Sequence, residues 1–305
     1  MIQATTLPNR GILKISGKDR VSFLQGLITN DVTKITPDQA IYAALLSPQG
    51  KFQYDLFIAS VLVDGEEVWL MDCDRDRADA LMKRLSLYKL RSDVTIENVS
   101  DCFIVSALFG SGALAKLGVS QPGLARAVQG GAMFVDPRLV DLGARSIVPI
   151  NKSEAFWDHW EIKDNFTPFE DYECHRIKLG IPDGSRDVLV DRGILLECGF
   201  DELNALDWNK GCYMGQELTA RTRYRGLVRK RLVPVHIRGE IPPYQTPILQ
   251  EGGEVGELRS TAQDWGIAMI RLEALHKSLP FSCESATLTL HIPHWMCLPS
   301  LDGEK

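Results

Sequence analysis

The feature that most restricts the fold is a change of rhythm after Arg229. From there the chain breaks into short strand-like runs, 232–237, 247–250, 254–260, 266–272 and 286–292, separated by Gly and Pro turns. Short strands at this spacing, with no long helical pattern between them, predict a small all-β barrel. We therefore expect a barrel over 229–298 with a tail at 299–305.

Upstream, the pattern is mixed. Residues 11–16 read as a strand. Ser16 and Asp19 form a capping-box-like helix start, followed by Val21, Leu24, Leu27 and Ile28 at helical spacing, with a stop at Asn30-Asp31. An apolar run at 41–46, the turn Ser47-Pro48-Gln49-Gly50 and a strand at 52–63 come next. Asp64-Gly65 signals a hairpin, and 66–71 is the returning strand. Leu81, Met82, Leu85 and Tyr88 predict a helix over 76–90. A buried strand is expected at 102–109, a short helix at 113–117 and a loop at 118–131. Phe169, Tyr172, Arg176 and Ile177 suit a helix that stops at Gly180-Ile181-Pro182, with irregular chain over 183–200. The fold class expected is α+β for 1–228, followed by β.

Composition excludes several function classes. Apolar residues make up 45% and charged residues 24% of 305, an ordinary globular balance. The net charge of −6 argues against a nucleic-acid coat or a membrane-surface protein. That sum hides an inversion. Between Lys210 and Arg231 stand seven basic residues and one acid, Glu217, so this stretch is +6 and the remainder −12. No apolar run reaches the 18 or so residues of a membrane span. The first residues show neither a signal-peptide nor a transit-peptide pattern, so a cytoplasmic location is expected. Seven cysteines, none in a C-x-x-C pair, indicate neither a disulfide framework nor a zinc ribbon.

The strongest local feature is Lys210-Gly211-Cys212-Tyr213-Met214-Gly215-Gln216-Glu217, leading into a helical stretch at 216–224. A cysteine in a glycine turn near a helix N-terminus, with a lysine beside it, is placed to act as a thiolate, for nucleophilic chemistry or metal ligation. The alternative is a buried structural cysteine. Arg221 and Arg225 share a helix face, where they would either hold an anionic ligand tail or form a solvated face with a Glu217–Arg221 pair. Gly110-Ser111-Gly112-Ala113-Leu114-Ala115 imitates a dinucleotide fingerprint, but a plain strand-to-helix turn accounts for it better. His291, His294 and Cys297 read as a strand end rather than a metal site. No G-x-S-x-G, Walker, H-E-x-x-H or paired-carboxylate motif supports a hydrolase or kinase.

The 210–217 octapeptide resembles the signature K-G-C-[FY]-x-G-Q-E of the YgfZ group. These are folate-binding iron–sulfur-cluster assembly proteins related to the glycine-cleavage T-protein, an aminomethyltransferase. Phe23-Leu24-Gln25-Gly26 with Thr29-Asn30-Asp31-Val32, Pro48-Gln49-Gly50-Lys51 and the Arg176–Pro182 segment are similar to three further stretches of that family. The resemblance implies a three-lobed T-protein-like arrangement: folate-binding α+β lobes, two of them interleaved over 1–228, and a small C-terminal β-barrel. It implies tetrahydrofolate as ligand, iron–sulfur client or carrier proteins as partners, and Cys212 as the functional thiol and a candidate ligand to a transient cluster. Lys210, Gly211, Gln216 and Glu217 would shape its loop. Arg221 and Arg225 would continue the basic helix, Tyr172 would lie near the pterin and Asp55 would be the retained acid of the T-protein pair. That pair reads Tyr54-Asp55 here, and Lys178 stands where the T-protein has a glutamate. These losses favour an assembly factor over the alternative, a tetrahydrofolate-dependent aminomethyl or one-carbon transferase. The +6 stretch is expected to face a polyglutamyl tail or an acidic partner.

Overall fold

A strand buried on both faces must alternate between two different environments, and the sheets here do so. The computed structural model describes residues 1–63, 65–118, 120–128, 130–277 and 279–299. Asp64 of the expected hairpin and most of the 299–305 tail lie outside them. The chain forms two compact units. The first comprises Met1–Leu46, Gln53–Phe169 and Leu203–Met214; the second comprises Ser47–Phe52, Glu170–Glu202 and the chain from Gly215 onward.

The first unit holds two five-stranded sheets. One has the order Ile41–Leu46, Phe52–Val63, Glu66–Asp74, Arg10–Ser16, Thr95–Asn98. The side chains on one of its faces (Leu13, Ile15, Ala43, Leu45, Tyr54, Leu56, Ile58, Trp69 and Met71) pack with Leu24 of the helix Arg20–Gln25, with Leu81 and Leu85 of the helix Ala78–Lys89, and with Ile28. The other sheet has the order Gln3–Thr6, Phe103–Phe109, Ala144–Pro149, Gly131–Val135, Ala125–Val128, with neighbouring strands antiparallel. Leu108, Met133, Val135, Ala144 and Val148 pack with Phe156 and Trp157 of the helix Ser153–His159.

The opposite faces carry charge. Arg10, Asp55 and Asp72 of the first sheet form one buried network with Arg145 of the second and with Asp136 and Arg138, which follow its strand Gly131–Val135, each at most 6% exposed. Arg10 Nε donates to Asp72 Oδ1 at 2.5 Å and Arg145 Nη1 to Asp72 Oδ2 at 2.7 Å. Arg138 grips Asp136 with Nε and Nη2 at 2.9 and 2.8 Å. Three arginines meet three aspartates around Phe57, whose ring lies 4.0 Å from the Arg145 guanidinium. A buried charge is tolerated only when paired and hydrogen-bonded, which is what links the two sheets here.

In the second unit the strands Lys230–Arg238, Trp265–Arg271, Gly253–Ala262, Pro247–Gln250, Phe281–Cys283 and Ala286–Leu290 close into a barrel. Closure removes the free edges that so many short strands would otherwise expose. Its core is Val233, Val235, Ile248, Leu258, Ile270, Phe281 and Leu288.

Several expectations are corrected. The 118–131 stretch is not all loop, because Ala125–Val128 pairs with Gly131–Val135 as a hairpin. The strand Ala144–Pro149 and the helix Ser153–His159 were not anticipated; small and polar residues blur their periodicity. The capping box does not form: the helix is Arg20–Gln25, and Asp19 accepts from Asp93 N instead. The dinucleotide-like glycines sit between a strand with antiparallel neighbours on both sides and a five-residue helix, so no βαβ unit exists there.

Candidate functional site: the Cys212 loop

Two of the family-like stretches meet in the first unit. Thr29 Oγ1 donates to Ala205 O at 2.6 Å and accepts from Ala44 N. Asn30 Nδ2 donates to Tyr42 O and Asn204 O, both at 2.8 Å. The 23–32 segment therefore cradles the chain that arrives at the cysteine motif. Asp207 then turns it, accepting from Asn209 N and Lys210 N with one oxygen and pairing with Lys34 through the other.

Lys210 is 7% exposed and fixes the entry to the loop. Its ammonium donates to Ile28 O at 2.7 Å and Asn30 O at 2.6 Å and lies 5.4 Å from the Tyr213 ring centre. Burial pulls it down to about 8, against the opposing pull of Asp31 and Asp207. The exit is fixed by Met214 N donating to Gly26 O at 3.0 Å. Between these two anchors Gly211 and Cys212 are exposed while Tyr213 is buried. A Cβ on Gly211 would meet nothing within 4 Å.

This changes the reading of the thiol. Cys212 is not a buried structural cysteine. It precedes the N-cap, Gly215, by three residues, outside the first turn where a helix dipole acts. Lys210 spends its donors on carbonyls rather than on the sulfur. The arrangement presents an accessible thiol at a rigidly held tip. Replacing Lys210 by Met removes both carbonyl contacts, so hydrogen–deuterium exchange of Gly211–Met214 amides should speed up by at least about tenfold. Unchanged exchange would show that the loop is held by other means.

Asp55 stands elsewhere in the first unit. It is 3% exposed, and Arg10 Nη1 reaches both its oxygens at 3.3 and 3.4 Å. Tyr54, one residue earlier, points to the opposite face and lies under the Arg77 guanidinium at 4.0 Å. The sequence reading missed this network. Its signal was single charges inside apolar strands, as in Tyr54-Asp55-Leu56 and Met71-Asp72-Cys73.

The remaining expected residues belong to the second unit. Gln216 and Glu217 open the helix Gln216–Tyr224. Gly50, at φ 79°, turns beneath that opening; a Cβ there would come within 2.7 Å of Gly215 O and 2.5 Å of Leu218 Cβ, so only glycine fits. Arg221 and Arg225 are exposed, and no ion pair forms between Glu217 and Arg221. Tyr172 is 4% exposed in the helix Phe169–Lys178. Lys178 lies 5.6 Å from the Trp265 ring centre. Among the described residues no three His, Cys, Asp or Glu side chains are grouped to hold a metal, His291, His294 and Cys297 included.

Residues 8–120 match the family model described as GCVT N-terminal domain, and 229–298 match that of the CAF17 C-terminal beta-barrel domain. Among curated proteins, the human iron–sulfur cluster assembly factor IBA57, mitochondrial, is 30% identical, with 95% of this chain and 84% of that protein covered. The chain belongs to the IBA57 family of iron–sulfur cluster assembly factors. The mouse IBA57 is 29% identical at the same coverage. The Mycosarcoma maydis homologue is 34% identical over 78% of this chain, which spans 58% of that relative's length. Among solved structures, the glycine cleavage aminomethyltransferase T of Bartonella henselae superposes with a TM-score of 0.76 over 97% of this chain and 86% of its own, at 13% identity. The fold is thus that of the aminomethyltransferases, ending in a six-stranded barrel.

The resemblance seen in the cysteine motif holds at the level of this assembly-factor family. Its narrower YgfZ label is replaced by IBA57, the name these relatives carry. The cytoplasmic expectation is overturned, because these relatives are named as mitochondrial proteins. Composition did not separate the two compartments, since free cysteines and an ordinary charge balance suit any reducing one.

Proposed function

We propose that the chain is an accessory factor that assembles or repairs iron–sulfur clusters in client proteins, and that Cys212 is the group that meets the cluster or sulfur species. The observation that carries this is the accessible Cys212 thiol on a loop anchored at Lys210 and Met214. Thiolate is the natural ligand for iron and the nucleophile for sulfur transfer. Membership in a family whose relatives are named iron–sulfur cluster assembly factors supports the client class.

Tetrahydrofolate binding is part of the proposal through Arg221 and Arg225, whose free guanidinium groups fit a carboxylate tail. Asp55 and Tyr172 do not fit a pterin contact as they stand. Asp55 is already held by Arg10, and Tyr172 is buried. With Asp55 occupied and the first acid of the pair replaced by Tyr54, the aminomethyltransferase alternative lacks its proton-transfer groups.

The test is Cys212→Ser in cells lacking the native protein. Because Cys212 is exposed, Tm should stay within about 1 °C, as for surface substitutions generally. Activity of a 4Fe–4S client enzyme should fall to the level of the deletion. Full client activity would remove Cys212 from the function. In parallel, tetrahydrofolate should bind wild type more tightly than Arg221→Ala, and absence of saturable binding to wild type would remove folate.

A further inference from the structure

The second unit holds a cavity whose walls the thiol chemistry does not use. Its volume is about 120 Å³, and it is lined by the 187–198 segment and by the barrel strands Lys230–Arg238, Gly253–Ala262 and Trp265–Arg271. Arg259 stands in its wall and is 3% exposed. The register of Gly253–Ala262 on Trp265–Arg271 breaks between Leu258 and Thr261. Such a break re-aims side chains. Leu258 stays in the barrel core, whereas Arg259 lines the cavity and Ser260 N donates to Asp187 Oδ1 at 2.9 Å. Arg259 Nη2 donates to Glu257 Oε1 at 2.6 Å, and the guanidinium also faces the Tyr244 hydroxyl. Its Nε and Nη1 are buried and meet no acceptor. Arg192 lines the same cavity and is exposed, and its side chain enters neither an ion pair nor a hydrogen bond.

The other charged groups in the wall are engaged. Asp187 accepts from Arg176 Nη1, Asp183 N and Ser260 N. Glu197 accepts from the backbone N–H groups of Arg229 and Lys230 and faces the Lys230 ammonium, while burial pushes its carboxyl above the ordinary value. A buried donor without an acceptor is costly, and a carboxylate held by guanidinium groups is among the strongest charge-assisted pairings. Val188, Leu189 and Met269 add apolar surface to the same walls. We propose that this cavity binds a small monocarboxylate, its oxygens on Arg259 and Arg192 and its short hydrocarbon chain against Val188, Leu189 and Met269. Charge and size select this class. The cations Arg192, Lys230 and Arg259 are matched in the wall by the acids Asp187, Glu197 and Glu257. One added negative charge is offset by the guanidinium contacts, whereas a phosphate dianion would bring a second charge against those carboxylates. Drug-sized ligands occupy pockets of roughly 300–1,000 Å³, so this volume admits only a far smaller molecule. The proposal requires neither the thiol chemistry nor folate.

The probe is sodium butyrate, titrated against the full chain by saturation-transfer NMR at constant ionic strength. A ligand of so few atoms should saturate with a dissociation constant on the order of 1 mM, with the strongest transfer to its methyl group. Arg192→Ala changes an exposed residue, so it should keep the wild-type Tm and weaken binding about tenfold. Arg259→Gln should weaken it at least as much; because Arg259 is buried and its loss could loosen the barrel, the Arg192 variant decides. Glu257→Gln keeps the shape of the wall and removes an acid, so binding should tighten about threefold. Butyramide, the uncharged analogue, should not bind, and inorganic phosphate should bind more weakly than butyrate. The proposal is overturned by the absence of saturable butyrate binding, by an affinity indifferent to Arg192→Ala, or by butyramide or phosphate binding as well as butyrate. Displacement of butyrate by 5-formyltetrahydrofolate would also overturn it, by assigning the cavity to a folate.

Discussion

Asp72→Asn is expected to destabilise the first unit by about 3–5 kcal/mol, the range for breaking a buried, hydrogen-bonded ion pair. The substitution keeps shape and removes one charge. Asp72 is fully buried, and its two oxygens are divided between Arg10, on its own sheet, and Arg145, on the other. Arg10 would retain Asp55 at 3.3 Å, and Arg145 only the distant contact with Asp136 at 3.8 Å. Three guanidinium groups, each at most 6% exposed, would then share two carboxylates around the Phe57 ring. In a folding scan this corresponds to a fall in Tm on the order of 10 °C. Lys163→Met, which breaks an exposed contact with Glu154, is the control and should leave Tm unchanged. An Asp72→Asn protein as stable as wild type would mean that apolar packing alone holds the two sheets.

The same network sets an acid limit. Burial would raise the Asp136 carboxyl, but Arg138 and Arg145 outweigh it and hold the group below its ordinary value. A carboxylate depressed on folding stabilises the protein above its unfolded pKa, and that contribution is lost as pH falls through the folded value. Glu173 of the second unit is depressed in the same sense by Arg176 and Arg186, against burial. Stability from both should therefore hold from neutral pH down to about 4 and drop below it.

The sequence made much of the fold legible because the dominant signals were local. The barrel strands, the 52–63 strand and the 216–224 helix follow from periodicity and turn residues, and their bounds lie within a few residues of Lys230–Arg238, Phe52–Val63 and Gln216–Tyr224. The cysteine motif was legible as a local feature, but the contacts that hold it were not. That Lys210 serves two carbonyls near Asn30, rather than the neighbouring sulfur, depends on a contact 180 residues distant in the chain. The charge network was equally hidden. Asp55 could be read as a retained catalytic acid only because nothing local says that Arg10 holds it. Pairing of buried charges is a tertiary property, and spacing along one strand does not encode the partner.

Arg176→Lys should cost the second unit at least as much as Asp72→Asn costs the first, despite preserving the charge. Arg176 is 2% exposed and makes a full set of directed contacts. Nε and Nη2 fork onto Glu173, both at 2.8 Å; Nη1 reaches Asp187 Oδ2 and Ile181 O at 2.9 Å; Nη2 also reaches Ser260 Oγ at 2.9 Å. One side chain thereby ties the helix Phe169–Lys178 to the Gly180-Ile181-Pro182 turn, to the 183–187 loop and to the barrel strand Gly253–Ala262. Burial would lower its pKa, but Glu173 and Asp187 raise it, so the guanidinium stays charged at every accessible pH. A lysine has three donors around one point and cannot span carboxylates on opposite sides of a planar fork. It would leave Asp187, itself fully buried, dependent on backbone donors from Asp183 and Ser260. The expected loss is about 3–5 kcal/mol, read as a fall in the urea midpoint at constant slope. A midpoint equal to wild type would show that charge alone, without the fork, holds the helix to the barrel. If the loss occurs while the Cys212 thiol keeps its reactivity, then the R-x-x-x-G-I-P stretch acts through the fold of the second unit and not through the cysteine loop.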